Sequence, residues 1–127
     1  MRIQGGYTLG FDNIIKFTAE GQFFVGIYDD VIDGMYGKLL VAYSIETNVN
    51  GIEPLKRVAI PLTTQIQRSI DTISKNRVFS LEYLGKRTGR SNRMYKLFRI
   101  KVYSKEEVLR AYPELQKDIE ALLEAPF

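Results

Sequence analysis

The sequence predicts a mainly β domain with a helical tail, on three observations. Five segments between Gln22 and Tyr103 carry the aromatic and β-branched residues that suit a pleated surface. One segment among them switches to helical spacing. After Ser104, apolar residues recur every three or four positions.

Taken in order, residues 1–20 give a weak signal. "GGYTLGFDN" has loop composition and "IIKFTA" fits a short strand. The first clear strand is "QFFVGIYDDVI". Its more apolar alternating set is Phe23, Val25 and Ile27, which are expected inside. Phe24 and Tyr28 then fall on the other face, beside Gly26, where a ligand can approach the backbone. "DGMYG", Asp33 to Gly37, has turn chemistry at both ends. "KLLVAYSIE" is the second strand, "TNVNGIEP" a loop, and "KRVAIP" a short third strand stopped by Pro61.

Leu62, Ile66, Ile70 and Ile73 then fall at spacings of four, four and three, one face of a helix that ends near Asn76. "RVFSLEYL" is the fourth strand, with Phe79, Leu81 and Tyr83 on one face. "YKLFRIKVY" is the fifth, with Phe98, Ile100 and Val102 facing one way and Leu97, Arg99 and Lys101 the other. Tyr43, Phe79, Tyr83 and Phe98 are expected in the core. Ser104, with Glu107 three residues on, forms a capping box. Pro113 divides the tail into two helices. Its stripe of Val108, Tyr112, Leu115, Ile119 and Leu122 packs on its own barrel or on a sister subunit.

Five strands with one helix between the third and fourth is the order of the OB-fold, a partly open five-stranded barrel. The expected organisation is an OB-fold domain over residues 1–103, with its core at about 22–103, and a helical C-terminal extension over 104–127 ending in Pro-Phe.

Composition narrows the chemistry. The 127 residues make one domain and one core. There is no cysteine and no histidine. That removes thiolate nucleophiles, ordinary zinc sites and histidine-based triads. No cofactor, no metal and no enzymatic activity are expected. Asp29, Asp30 and Asp33 in "DDVID" read as a polar strand end leading into a turn rather than as a magnesium site. "GKRTGRS" is not a phosphate-binding loop, because a strand and not a helix follows it. No apolar run approaches the ~20 residues that span a membrane. A cytoplasmic protein is expected, in the host cytoplasm if viral.

The charge is concentrated. The net charge is +3, yet residues 83–103 hold seven bases and no acid. Lys86, Arg87, Arg90 and Arg93 crowd the loop between the fourth and fifth strands, with Lys96 just after it. Such a focused field suits an anionic partner. A solvated hairpin tip that keeps a strand edge soluble is the plainer alternative, but such a tip usually mixes signs. In an OB-fold this loop, together with the loop between strands 1 and 2, flanks the binding face. Single-stranded nucleic acid also needs aromatic platforms for its bases. The stacking candidates are Phe24, Tyr28, Tyr36 and Tyr95.

The stretch "VAIPLTTQIQRSI...RVFSLEYLGKRTGRSNRMYKLFRIKV" resembles OB-fold single-stranded DNA-binding proteins, especially the compact ones of phages and other mobile elements. The shared feature is a strand ending Tyr-Leu-Gly-Lys, a Gly/Arg/Lys loop, then Tyr-Lys-x-Phe-Arg-Ile. It covers roughly residues 22–103. The resemblance implies sequence-independent binding and protection of single-stranded DNA during replication or recombination. Bacterial members end in an acidic stretch closed by Pro-Phe that recruits replication and repair proteins. Pro126 and Phe127 match that end, and a run of aspartates is missing here. Binding of replication or recombination proteins through Pro126 and Phe127 is what that match implies. Two other readings stay open: an OB-fold RNA-binding protein, and a structural or adaptor domain whose basic loop meets an acidic protein. Self-association into a homo-oligomer stays open too.

Overall fold

The structure is a computed structural model that describes residues 13–35, 37–49, 51–73 and 77–123. The fold is mainly β. The strands are β1 (Asn13–Ile14), β2 (Phe23–Gly34), β3 (Gly37–Thr47), β4 (Arg57–Pro61), β5 (Val78–Thr88) and β6 (Met94–Tyr103). The helices are α1 (Thr64–Ile70), α2 (Lys105–Ala111) and α3 (Gln116–Leu123), the last two joined by a 3₁₀ turn at Pro113–Leu115.

Strands β2 to β6 form an antiparallel sheet of five in the order β4-β3-β2-β5-β6, and β1 adds to the outer edge of β4 in parallel. The central strand is β2. Its start, Phe23–Ile27, pairs with β5, while Phe24–Gly34 pairs with β3. The strand must therefore turn from one neighbour's twist to the other's. Register shifts between Val25 and Gly26 and between Tyr28 and Asp30 accomplish this.

The two alternating sets of β2 are kept, but the expected exposure of Phe24 and Tyr28 is corrected. Phe24 and Tyr28 lie in the inner core, at 0% and 8% exposure, with Leu40, Ile60, Phe79, Leu81 and Phe98. Ile27 faces the opposite way, into a second cluster with Ile45, Val78, Val108 and Ile119, and half-buried Val25 packs against that cluster. Both faces of β2 are buried, so simple alternation cannot tell inside from outside. Gly26 offers no approach to a ligand either. The ring of Phe24 occupies the space its side chain would fill, and a Cβ there would lie 2.7 Å from the Tyr43 carbonyl oxygen.

The sheet stays open. Among the described residues, no ladder joins β4 to β6. A side chain bridges the space instead. The Gln65 amide on α1 donates from Nε2 to the Phe98 carbonyl (2.8 Å) and accepts at Oε1 from the Phe98 N–H (3.0 Å). One glutamine thus makes the pair of bonds that a neighbouring strand would make. The segment after β1 fills the rest. Phe17 packs edge-on against Phe98, ring centres 5.2 Å apart, and Ile15 is fully buried beside it in the same cluster.

The C-terminal helices pack on the outer face of their own sheet. Ser104 caps α2 with the expected capping box. Val108 and Ile119 then bury against Ile27, Ile45 and Val78, with Tyr43 and Tyr103 at the margin. Tyr112, at the end of α2, donates its hydroxyl to the Glu46 carboxylate on β3 (2.7 Å). Burial and that carboxylate hold the Tyr112 phenol far above its ordinary range.

Two outcomes follow from this packing. Gly26→Ala should destabilise the fold by about 2–3 kcal/mol, because the opposing Tyr43 oxygen is backbone and cannot swing aside. Urea unfolding with an unchanged slope and a lowered midpoint is the expected result. The raised phenol of Tyr112 means that folding favours its protonated form. That stabilisation is fully present below pH ~10, the unfolded value, and is lost as pH rises beyond it. Tyr112→Phe should therefore show a shallower alkaline loss of stability than the wild type in melting curves between pH 9 and 11.

Candidate nucleic-acid interface

Beyond Tyr83 the β5–β6 pair projects past the body of the sheet. An irregularity between Tyr83 and Lys86, with Gly85 at φ +93°, redirects the ribbon. Pairing then continues as Lys86 with Lys96, Arg87 with Tyr95, and Thr88 with Met94. The tip is tight. Gly89 N–H donates to the Arg93 carbonyl (2.8 Å) and Asn92 N–H to the Gly89 carbonyl (3.1 Å). Asn92 sits at φ +57°, a left-handed conformation that asparagine tolerates better than most residues.

Lys86, Arg87, Arg90 and Arg93 are all exposed. Among the described residues, none of the four forms an ion pair with a carboxylate. Arg99, further along β6, differs: it is bound to Glu82 on β5 at 2.9 Å. Lys86 and Lys96 stand directly opposite each other, an arrangement of like charges that costs stability. Lys96 turns inward. Its Nζ donates to the Phe17 carbonyl (2.7 Å) and lies 5.7 Å from the centre of the Tyr83 ring. It contributes positive charge to the surface while serving to hold the segment after β1.

The aromatic candidates divide. Tyr95 is half-exposed at 49%, beside Met94 at 65%, so an aromatic and an apolar side chain lie among the cations. The Tyr95 ring rests near Gly89, where a built Cβ would lie 3.7 Å from Cε1. Phe24 and Tyr28 cannot offer a ring to a base, because the inner core encloses them. Tyr36, Pro126 and Phe127 lie outside the described residues.

A groove of about 680 Å³ runs between α1 and β6, lined by Leu62, Thr64, Gln65, Arg68, Tyr95 and Lys96 among others. Its volume suits a small organic ligand. The N–H of Leu62 donates to the Lys38 carbonyl (3.0 Å), which places the far end of the groove beside the β2–β3 hairpin. The groove lining thus includes Leu62, bonded to β3 at Lys38, and Tyr95 and Lys96 of the basic hairpin. Arg68 and the groove were not anticipated from sequence. The available signal was the polar stripe Thr64, Gln65, Arg68 and Ser69, which repeats at helical spacing opposite Ile66 and Ile70.

The three aspartates do not converge. Asp29 pairs with Arg57 on β4 at 2.9 Å, and Asp30 accepts from the Val31 N–H. Asp33 is exposed near the end of β2. No group of acids among the described residues is arranged to hold a metal ion. No described helix is long and apolar enough to cross a membrane. No family model, no curated protein and no solved structure matches the chain.

Proposed function

We propose that this protein is an OB-type single-stranded DNA-binding protein that holds DNA non-specifically through its basic hairpin. The fold reading rests on connectivity. Two strands follow β2 and precede α1, two follow α1, and β2, the first of these five strands, pairs with the second and the fourth. This is the order of a five-stranded OB barrel opened between β4 and β6. Gln65 and the segment around Phe17 occupy the opening.

The observation that carries the function is the hairpin itself. Four exposed cations, none ion-paired with a carboxylate among the described residues, share a tightly turned ribbon with a half-exposed tyrosine. Each cation that neutralises a phosphate releases a counterion, and the ring supplies a stacking surface worth ~1–3 kcal/mol per base. The role is to cover single strands during replication or recombination, in keeping with the resemblance to the compact proteins of phages and mobile elements. Replication or recombination proteins are the natural further partners.

The test uses a fluorophore-labelled oligo-dT and the matching duplex, titrated at two salt concentrations. The single strand should bind tightly and weaken with salt, and the duplex should bind far less. Replacing Arg87, Arg90 and Arg93 with alanine should reduce affinity for the single strand at least tenfold. It should also flatten the slope of log K against log salt by about 2, at ~0.7 per lost phosphate contact. Wild-type affinity in the triple variant, or equal binding of duplex and single strand, overturns the reading.

A further inference from the structure

We infer that the groove between α1 and β6 is a nucleotide subsite, in which one base of a bound single strand stacks on Tyr95 while its phosphate is held by Arg68. This inference rests on the single-strand reading above. It differs in where it puts the strand, which leaves the hairpin and passes over α1 rather than over the outer face of the sheet.

The C-terminal helices occupy part of the outer face, where Val108 and Ile119 bury Ile27, Ile45 and Val78. The depression left on it beside β6 carries Glu82, which already pairs with Arg99. The groove side is open, and its charge is suitable. Arg68 and Lys96 are its charged lining residues among those described, and no described acid lines it. Lys96 is engaged with the Phe17 carbonyl and the Tyr83 ring. Arg68 is exposed on α1 and remains the cation best able to swing onto a phosphate. Opposite it stands Tyr95, half-exposed and steadied near Gly89. Leu62 and the aliphatic stems of the polar residues complete an apolar slot for a planar base.

The groove stacks more than it reads. Glutamine is a residue that recognises base edges through its amide. Here both ends of the Gln65 amide are bound to the Phe98 backbone. The Ser69 hydroxyl donates to the Gln65 carbonyl, and the Thr63 hydroxyl accepts from the Ile66 N–H. With the Gln65 amide committed, recognition in the slot falls mainly to ring stacking and charge. That suits a protein that covers any sequence.

The chain has no tryptophan, so Tyr95→Trp places a single indole in the groove. Its emission is followed during titration with oligo-dT, while anisotropy of a labelled oligonucleotide reports total binding. The expected result is strong quenching that tracks binding. In the otherwise wild-type chain, Tyr95→Leu should weaken affinity roughly fivefold or more. Arg68→Gln should flatten the salt slope by about 0.7. If the oligonucleotide still binds and quenches the indole but Arg68→Gln keeps the wild-type slope, the groove is not a subsite and the hairpin reading stands. If it binds without quenching, the groove is not a subsite and the hairpin holds the strand by charge alone. If neither the wild type nor the variants bind single strands at low salt, both fall.

Discussion

Everything in this structure depends on a central strand that is apolar on both faces. At 12 residues, β2 is the longest strand, and it pairs with β3 on one side and β5 on the other. Phe24 and Tyr28 require cover on one side, Ile27 and Val25 on the other. A single curled sheet covers only one of these. The inner face is closed by the sheet's own curvature, by α1 and by the segment carrying Ile15 and Phe17. The outer face needs the C-terminal helices. The tail is thus part of the core of the domain rather than an appendage, and Tyr112 ties it to β3 through Glu46. Burying one aliphatic side chain is worth about 1.5–3 kcal/mol, so leaving Ile27, Ile45 and Val78 bare would cost most of the stability of a domain this size.

The same requirement decides which surface is left for a ligand. With part of the outer face given to α2 and α3, the accessible part of the sheet is its β5–β6 end and the flank beside α1. There the backbone is least complete, because β4 and β6 do not pair. Gln65 satisfies the Phe98 backbone groups that pairing would have satisfied, and Lys96 satisfies the Phe17 carbonyl. These two residues line the groove while serving the fold. The opening in the sheet and the groove are therefore one feature seen from two sides: the side chains that substitute for a missing strand form the walls of the slot.

Much of this was legible in the sequence. The five strands, the presence of α1 and the capping box at Ser104 are written in local pattern, although α1 ends at Ile70 rather than near Asn76, and the acid-free run from Tyr83 to Tyr103 marked the hairpin. The faces of β2 were not legible. Alternation sorted its residues correctly into two sets but assumes one wet face, and in a doubly buried strand it cannot say which set faces the inner core. That one error moved Phe24 and Tyr28 from the core to the surface. The two-residue strand β1 was too short to show a period, and its place beside β4 is a long-range pairing that no local signal encodes. Arg68 was hidden for a different reason: an exposed arginine on a short amphipathic helix is ordinary until the opposite wall of its groove is known.

The arrangement of the hairpin separates a binding device from a merely soluble edge. An edge strand is protected by charges along its exposed length, and Arg99 and Lys101 already provide them on β6, with Arg99 balanced by Glu82. Protection needs no run of cations on one hairpin, yet Lys86, Arg87, Arg90 and Arg93 are all exposed here, with Lys96 opposite Lys86 in the ladder. Nor does protection need apolar groups, yet Met94 and Tyr95 are held in solvent among the cations, where they oppose solubility. Charge repulsion and exposed apolar surface are both relieved by the same ligand, one that brings phosphates to the cations and flat bases to the tyrosine. The exposed tyrosine and methionine, among cations that pair with no described carboxylate, are what the proposed binding role accounts for and edge protection alone does not.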